Sequence, residues 1–202
     1  MRVTALLLVI VAGASQGSAR LRNPISRDAM ETVQVCSDNT SENTTNFRAR
    51  SLVTGMFADI GVGIGWHRPE SCPAGAIRIG YSTSTAGNLM PGALAFALPY
   101  DGTHIVVFYD RVRATVPGQD LFPALLAHVM AHEITHILEG TARHSAQGLM
   151  KAHWTPADYC RMRWKSLPFA AEDVELIRRG LEERAARRAA EPSGASVLSG
   201  GE

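Results

Sequence analysis

Residues 131–154 read AHEITHILEGTARHSAQGLMKAHW. His132 and His136 are four apart, so on a helix their imidazoles leave one face about a turn from each other. The flanking sequence predicts that helix. Asp120 stands as N-cap before a run from Leu121 to Glu139, Pro123 falls in the first turn, and Gly140 supplies the stop. Two imidazoles so placed suit a Zn2+ ion, and Glu133 beside the first can act as general base toward an attacking water. Three fixed positions in five residues do arise by accident, and helical histidines are often surface groups. The strongly helical setting, with end signals on both sides, favours the metal.

A hydrolytic zinc site needs a third protein ligand and an open position. The chain must turn back after Gly140, and His144 is the first candidate to return. Glu139, His153, Glu172 and Glu175 are rivals. Glu139 lies near the wrong face of the helix, and His153 competes only if Met150 is not a turn residue. Glu172 or Glu175 would make a class that expects an aspartate four residues after the glutamate, and position 176 is Leu176. His128, one turn before His132, reads as a structural histidine.

Beyond Gly140 the segment resembles the metzincin metalloproteases. Their pattern is a helix bearing two histidines and a glutamate, a glycine turn, a third histidine, and a methionine turn beneath the metal. His144-Ser145 followed by Gly148-Leu149-Met150 is similar to the matrix-metalloprotease branch in particular. The resemblance implies His132, His136 and His144 as zinc ligands, Glu133 as the catalytic base, and Met150 as a soft floor rather than a ligand. It also implies an edge strand, residues 93–99, that binds extended substrate by strand addition. The chain departs from the pattern in spacing. Ile137-Leu138-Glu139 precede Gly140 and Thr141-Ala142-Arg143 precede His144, one residue more in the helix and one more in the turn. Insertions at these places cost little.

Around this segment the pattern predicts strands at 31–36, 62–68, 76–82, 93–100 and 104–110. Helices are predicted over 47–60, with Leu52, Val53, Met56, Phe57 and Ile60 on one face, and over 170–188. Thr44 or Thr45 can cap the first of these, and Gly61 can end it. The expected architecture is α/β (α+β): a five-stranded, mixed, twisted sheet with an antiparallel edge strand, then an active-site helix, a methionine turn and a C-terminal helix.

The chain has 202 residues, 46% of them hydrophobic, enough for one domain with a real core. Residues 1–19 read as a signal peptide. Arg2 is followed by a short apolar run and by Gly17-Ser18-Ala19, a small-x-small cleavage pattern. Residues 20–190 form the expected catalytic domain and 191–202 a disordered tail. Arginine outnumbers lysine, read here as the bias of a GC-rich bacterial genome. The expected location is secreted or periplasmic, with one disulfide among Cys36, Cys72 and Cys160 and the pairing open. Asn39 and Asn43 begin paired sequons in a polar connection.

A net charge of +1 gives no field for nucleic acid and no stable membrane association once the signal is removed. A monomer acting on a peptide or protein substrate is expected. No loop is acidic enough to demand calcium. Two other readings stay open: a zinc-stabilised module that binds peptides without cutting, and a zinc amidase with a non-protein substrate.

Overall fold

The computed structural model describes residues 31–37, 44–99, 103–116, 118 and 120–190. The expected signal peptide, the sequons at Asn39 and Asn43, the turn at 100–102 and the tail lie outside the described residues. Strands β1 (Glu31–Ser37), β2 (Val62–His67), β3 (Ile77–Ser82), β4 (Ala95–Ala97) and β5 (His104–Phe108) form one sheet in the order β2-β1-β3-β5-β4. All neighbours are parallel except β4, which runs antiparallel to β5 at the edge. The parallel strands supply the buried aliphatics expected of a covered sheet: Val33, Val35, Ile77, Ile79, Ile105 and Val107. The mixed five-stranded sheet with an antiparallel edge is therefore present.

Helix α1 (Thr44–Ala58) packs on β2 and on the long helix α3 (Phe122–Glu139). Every residue of α3 from Phe122 to Leu138 is buried. A helix covered on all sides is a core element, and its polar groups need partners inside the protein. Helix α5 (Ala171–Ala190) covers its C-terminal end. There Gly180 permits contact that no other residue would, because a Cβ on it would stand 1.6 Å from the Leu138 carbonyl oxygen.

Several local expectations shift. Helix α1 starts at Thr44, and it buries Ala49, Val53, Met56 and Phe57 while Leu52 stays 37% exposed at the rim. Ile60 lies past its end. The start of α3 is not capped by Asp120. Leu121, 4% exposed, holds the cap position without a side-chain cap, because the core draws the apolar residue in and leaves Asp120 in solvent. Strand β4 is three residues instead of the apolar stretch 93–100. Strand β5 stops at Phe108, and the helix α2 (Tyr109–Thr115) follows at once. A further helix, α4 (Pro156–Met162), begins with a capping box between Thr155 and Asp158.

Cys36 at the end of β1 is bonded to Cys72, and Cys160 is a free, exposed thiol. The bridge closes a loop of 36 residues containing α1 and β2, worth on the order of 4 kcal/mol by chain entropy. Among the described residues no helix is long and apolar enough to cross a membrane.

The Gly180 contact makes a direct prediction. Gly180→Ala must push α5 off α3 and should destabilise the protein by about 2 kcal/mol or more. A denaturant titration checks this, and an unchanged midpoint would show that the two helices can separate freely.

Candidate metal centre

Helix α3 runs beneath the sheet edge and carries His132, Glu133 and His136 on its buried length. It ends at Gly140, whose φ of +66° is the left-handed conformation that favours glycine. That reversal sends the Thr141 carbonyl back toward the helix, where it accepts a hydrogen bond from His136 Nδ1 at 2.9 Å. The chain then passes Arg143, His144 and Ser145 and folds through Gly148 to Met150. Gly148 has φ +75°, and a Cβ there would lie 2.3 Å from the Pro168 carbonyl oxygen, so the turn needs glycine. Its shape is fixed by Ser145 N–H donating to Met150 O at 2.8 Å and Leu149 N–H donating to Pro168 O at 2.9 Å. The Leu149 carbonyl accepts from His132 Nδ1 at 3.1 Å and from Trp154 Nε1 at 3.1 Å. Met150 is wholly buried, one residue past that carbonyl.

These bonds determine the protonation pattern. A carbonyl oxygen can only accept, so Nδ1 carries the proton on both His132 and His136. Their Nε2 atoms are then bare lone pairs, and they face each other at 3.0 Å. Two lone pairs at that distance repel unless a cation lies between them. His144 completes the set: its ring centroid is 5.2 Å from that of His132 and 4.9 Å from that of His136. One nitrogen from each of the three lies within 4.8 Å of the others. Imidazole nitrogens about 2.0–2.1 Å from a tetrahedral zinc would stand roughly 3.3 Å apart, so this donor set fits that ion.

Electrostatics agree with a site for neutral imidazoles. Burial drives His132 down to about 3 and His136 to about 4, with further lowering from their histidine neighbours. His144 is lowered as well, first by burial and then by His153 and Arg143. Glu133 goes the other way. Burial raises its carboxyl to about 7, opposed by a hydrogen bond from the Ala97 backbone N–H on β4. The general-base candidate therefore meets the edge strand itself.

The rivals fall elsewhere. Glu172 pairs with Arg143 at 3.2 Å. Glu139 keeps both carboxylate oxygens buried without a hydrogen-bond partner among the described residues, and burial with nearby Asp173 lifts it to about 7. His153 is exposed. His128 is satisfied at both nitrogens: Nδ1 donates to Ala124 O at 2.7 Å, and Nε2 accepts from Leu167 N–H at 2.9 Å. This matches its reading as a structural histidine.

One residue at the site went unnoticed in the sequence. Asp173, fully buried on α5, accepts from Arg143 Nη2 at 2.8 Å, from Ser145 Oγ, and from Ala170 N–H at 3.0 Å. It thus holds both neighbours of His144 and orients the turn that brings this histidine in. The only trace of it in sequence is an acidic residue in the first turn of a helix.

No protein-family model and no curated protein matches the sequence. Among solved structures, the crystal structure of archaemetzincin from Methanopyrus kandleri is similar, with a TM-score of 0.54 and 13% identity. The similarity covers 78% of this chain and 99% of that one. At this identity it establishes a shared fold: a mixed five-stranded sheet with helices.

The third-ligand assignment is tested by metal content. After dialysis against a weak chelator, His144→Ala should lose the zinc that the wild type keeps at equimolar ratio, whereas Glu172→Ala should retain it. Zinc retained by His144→Ala would remove this histidine from the ligand set.

Proposed function

We propose that this protein is a zinc-dependent metallopeptidase, an endopeptidase of metzincin type. The observation that carries the reading is the pair of facing Nε2 lone pairs of His132 and His136, joined by His144, with Glu133 beside them. The shared fold with a protein named archaemetzincin supports it. A zinc ion held by the three imidazoles would supply a Lewis acid that polarises the scissile carbonyl and lowers the pKa of water to about 7.

The chain's own residues do the rest. Glu133 takes a proton from the attacking water at its carboxylate and returns it to the nitrogen of the departing amine. Its burial makes this exchange easy near neutral pH, since the carboxyl is held at about 7. The carbonyls of Leu149 and Thr141 hold His132 and His136 in the tautomer that leaves Nε2 free. Met150 fills the floor of the turn. Leu98 N–H donates to His104 O and Phe108 N–H to Leu94 O, so the even-numbered residues of this stretch bond β5. Ala95 and Ala97 therefore turn their backbone groups to the open side, where an extended peptide can pair.

The matrix-metalloprotease likeness, the secreted or periplasmic location, the signal peptide and the monomeric state belong to the same proposal. They rest on the sequence features already described. A purely structural zinc site has no use for a carboxylate beside its ligands, so Glu133 weighs against a binding module.

Two outcomes test the reading. Glu133→Ala should keep its zinc and lose hydrolysis of a denatured protein substrate by several orders of magnitude; loss of the metal instead would count against a general base. The active form of Glu133 is the carboxylate, and burial raises its pKa while a bound cation lowers it. The acid limb of kcat/KM should accordingly fall away at or below about pH 7. A profile that stays flat to well below the usual carboxylate range would assign the base elsewhere.

A further inference from the structure

The connection between β3 and β4, residues 83–94, contains no helix or strand. Loops of this length without regular structure are uncommon in a compact domain and need their own support. Here the support is one side chain. Arg111 Nη2 donates to Ala86 O at 2.9 Å and to Leu89 O at 2.6 Å; Nη1 donates to Met90 O at 2.8 Å and to Ala93 O at 3.0 Å. The guanidinium carbon lies 4.6 Å from the centre of the Phe108 ring, at the end of β5. The neighbouring Asp110 accepts from Thr85 at both its N–H and its hydroxyl, each at 2.8 Å. Two consecutive residues of α2 thus grip the loop at its start and along its length.

The loop also holds strain. Met90 has φ +43°, the single non-glycine residue at positive φ among those described. Such a conformation costs about 1 kcal/mol or more and persists only where the surroundings enforce it. Its carbonyl is one of the four on Arg111, and it also accepts from Ala93 N–H at 3.1 Å. Directly after this knot comes β4, three residues long. A strand so short has little ladder of its own to fix its position.

We propose that Arg111 is a positioning residue for the β4 edge. By gathering four carbonyls it sets the entry of β4, and through β4 the Ala97 N–H that meets Glu133. In the peptidase reading, on which only this last step rests, it fixes where an extended substrate pairs beside the catalytic base. A planar guanidinium with paired donors can serve four carbonyls at once, whereas a lysine ammonium has three donors around one point. The edge consequently carries its own organising cation as part of the chain.

The test uses the full zinc-loaded chain as wild type, Arg111→Ala and Arg111→Lys. Amide exchange over residues 86–98 should accelerate by about tenfold or more in Arg111→Ala, with α3 unchanged. Arg111→Lys should recover little of that protection. Millimolar methylguanidinium, but not urea, should slow exchange again in Arg111→Ala. For a peptide long enough to lie along β4, KM should rise by about fivefold or more with kcat changed by less than about twofold.

Unchanged exchange over 86–98, or acceleration throughout the protein, would overturn the proposal. If Arg111→Ala does not fold, Thr85→Val, which removes one bond to Asp110, should show the same local loosening to a smaller degree. Exchange decides the clasp even if the wild type cleaves no peptide, which would be a failure of the peptidase reading alone. Local loosening with an unchanged KM would overturn the link to substrate.

Discussion

Two backbone carbonyls, Leu149 O and Thr141 O, set the terms for the rest of this site. Each accepts from the Nδ1 of a helical histidine, and by doing so leaves an unprotonated nitrogen inside a buried helix. Burial disfavours a positive charge on either histidine. A cation between the two bare nitrogens would relieve both, and the three histidines are placed to hold one. The elements after α3 then read as ways of holding those carbonyls still. Gly140 reverses the chain, Gly148 lets the turn touch Pro168, and Asp173 ties Arg143 and Ser145 to α5.

The longer path between His136 and His144 does not upset this geometry. The added helical residue places Glu139 at the end of α3, where α5 covers it, and Gly140 still makes the reversal. The added turn residue lies in the stretch that Asp173 anchors. The close approach of Gly180 to Leu138 O fixes the distance between the two helices that carry these anchors. Spacing in the motif is therefore less restrictive than the position of the returning turn.

Helix α3 could be read in advance because its signals are local: two histidines four apart, an apolar run, and a glycine stop. The four parallel strands were likewise visible, the first through its polar-apolar alternation and the others as short stretches rich in apolar residues. The extent of β4 was not, since residues 93–99 are apolar throughout and pairing begins only after the loop that Arg111 holds. Helix α2 went unread because it buries only Val112 and so has no periodic face. Helix α4 did carry a signal, Thr155-Pro156 with Asp158, which is brief enough to pass for a turn. The Cys36–Cys72 pairing and the role of Asp173 depend on distant segments meeting, and no spacing along the chain encodes that. His144 could be ranked first among candidates, but its meeting with the other two histidines is a property of the folded turn.

The open side of β4 has a consequence for solubility. An unpaired strand edge will accept any extended backbone, including that of another copy of the same chain, and is a recognised start for aggregation. Here the exposed ladder is three residues long, and Pro99 follows within two residues of its end. Shortness and a nearby proline are among the devices that keep such an edge from growing onto another copy.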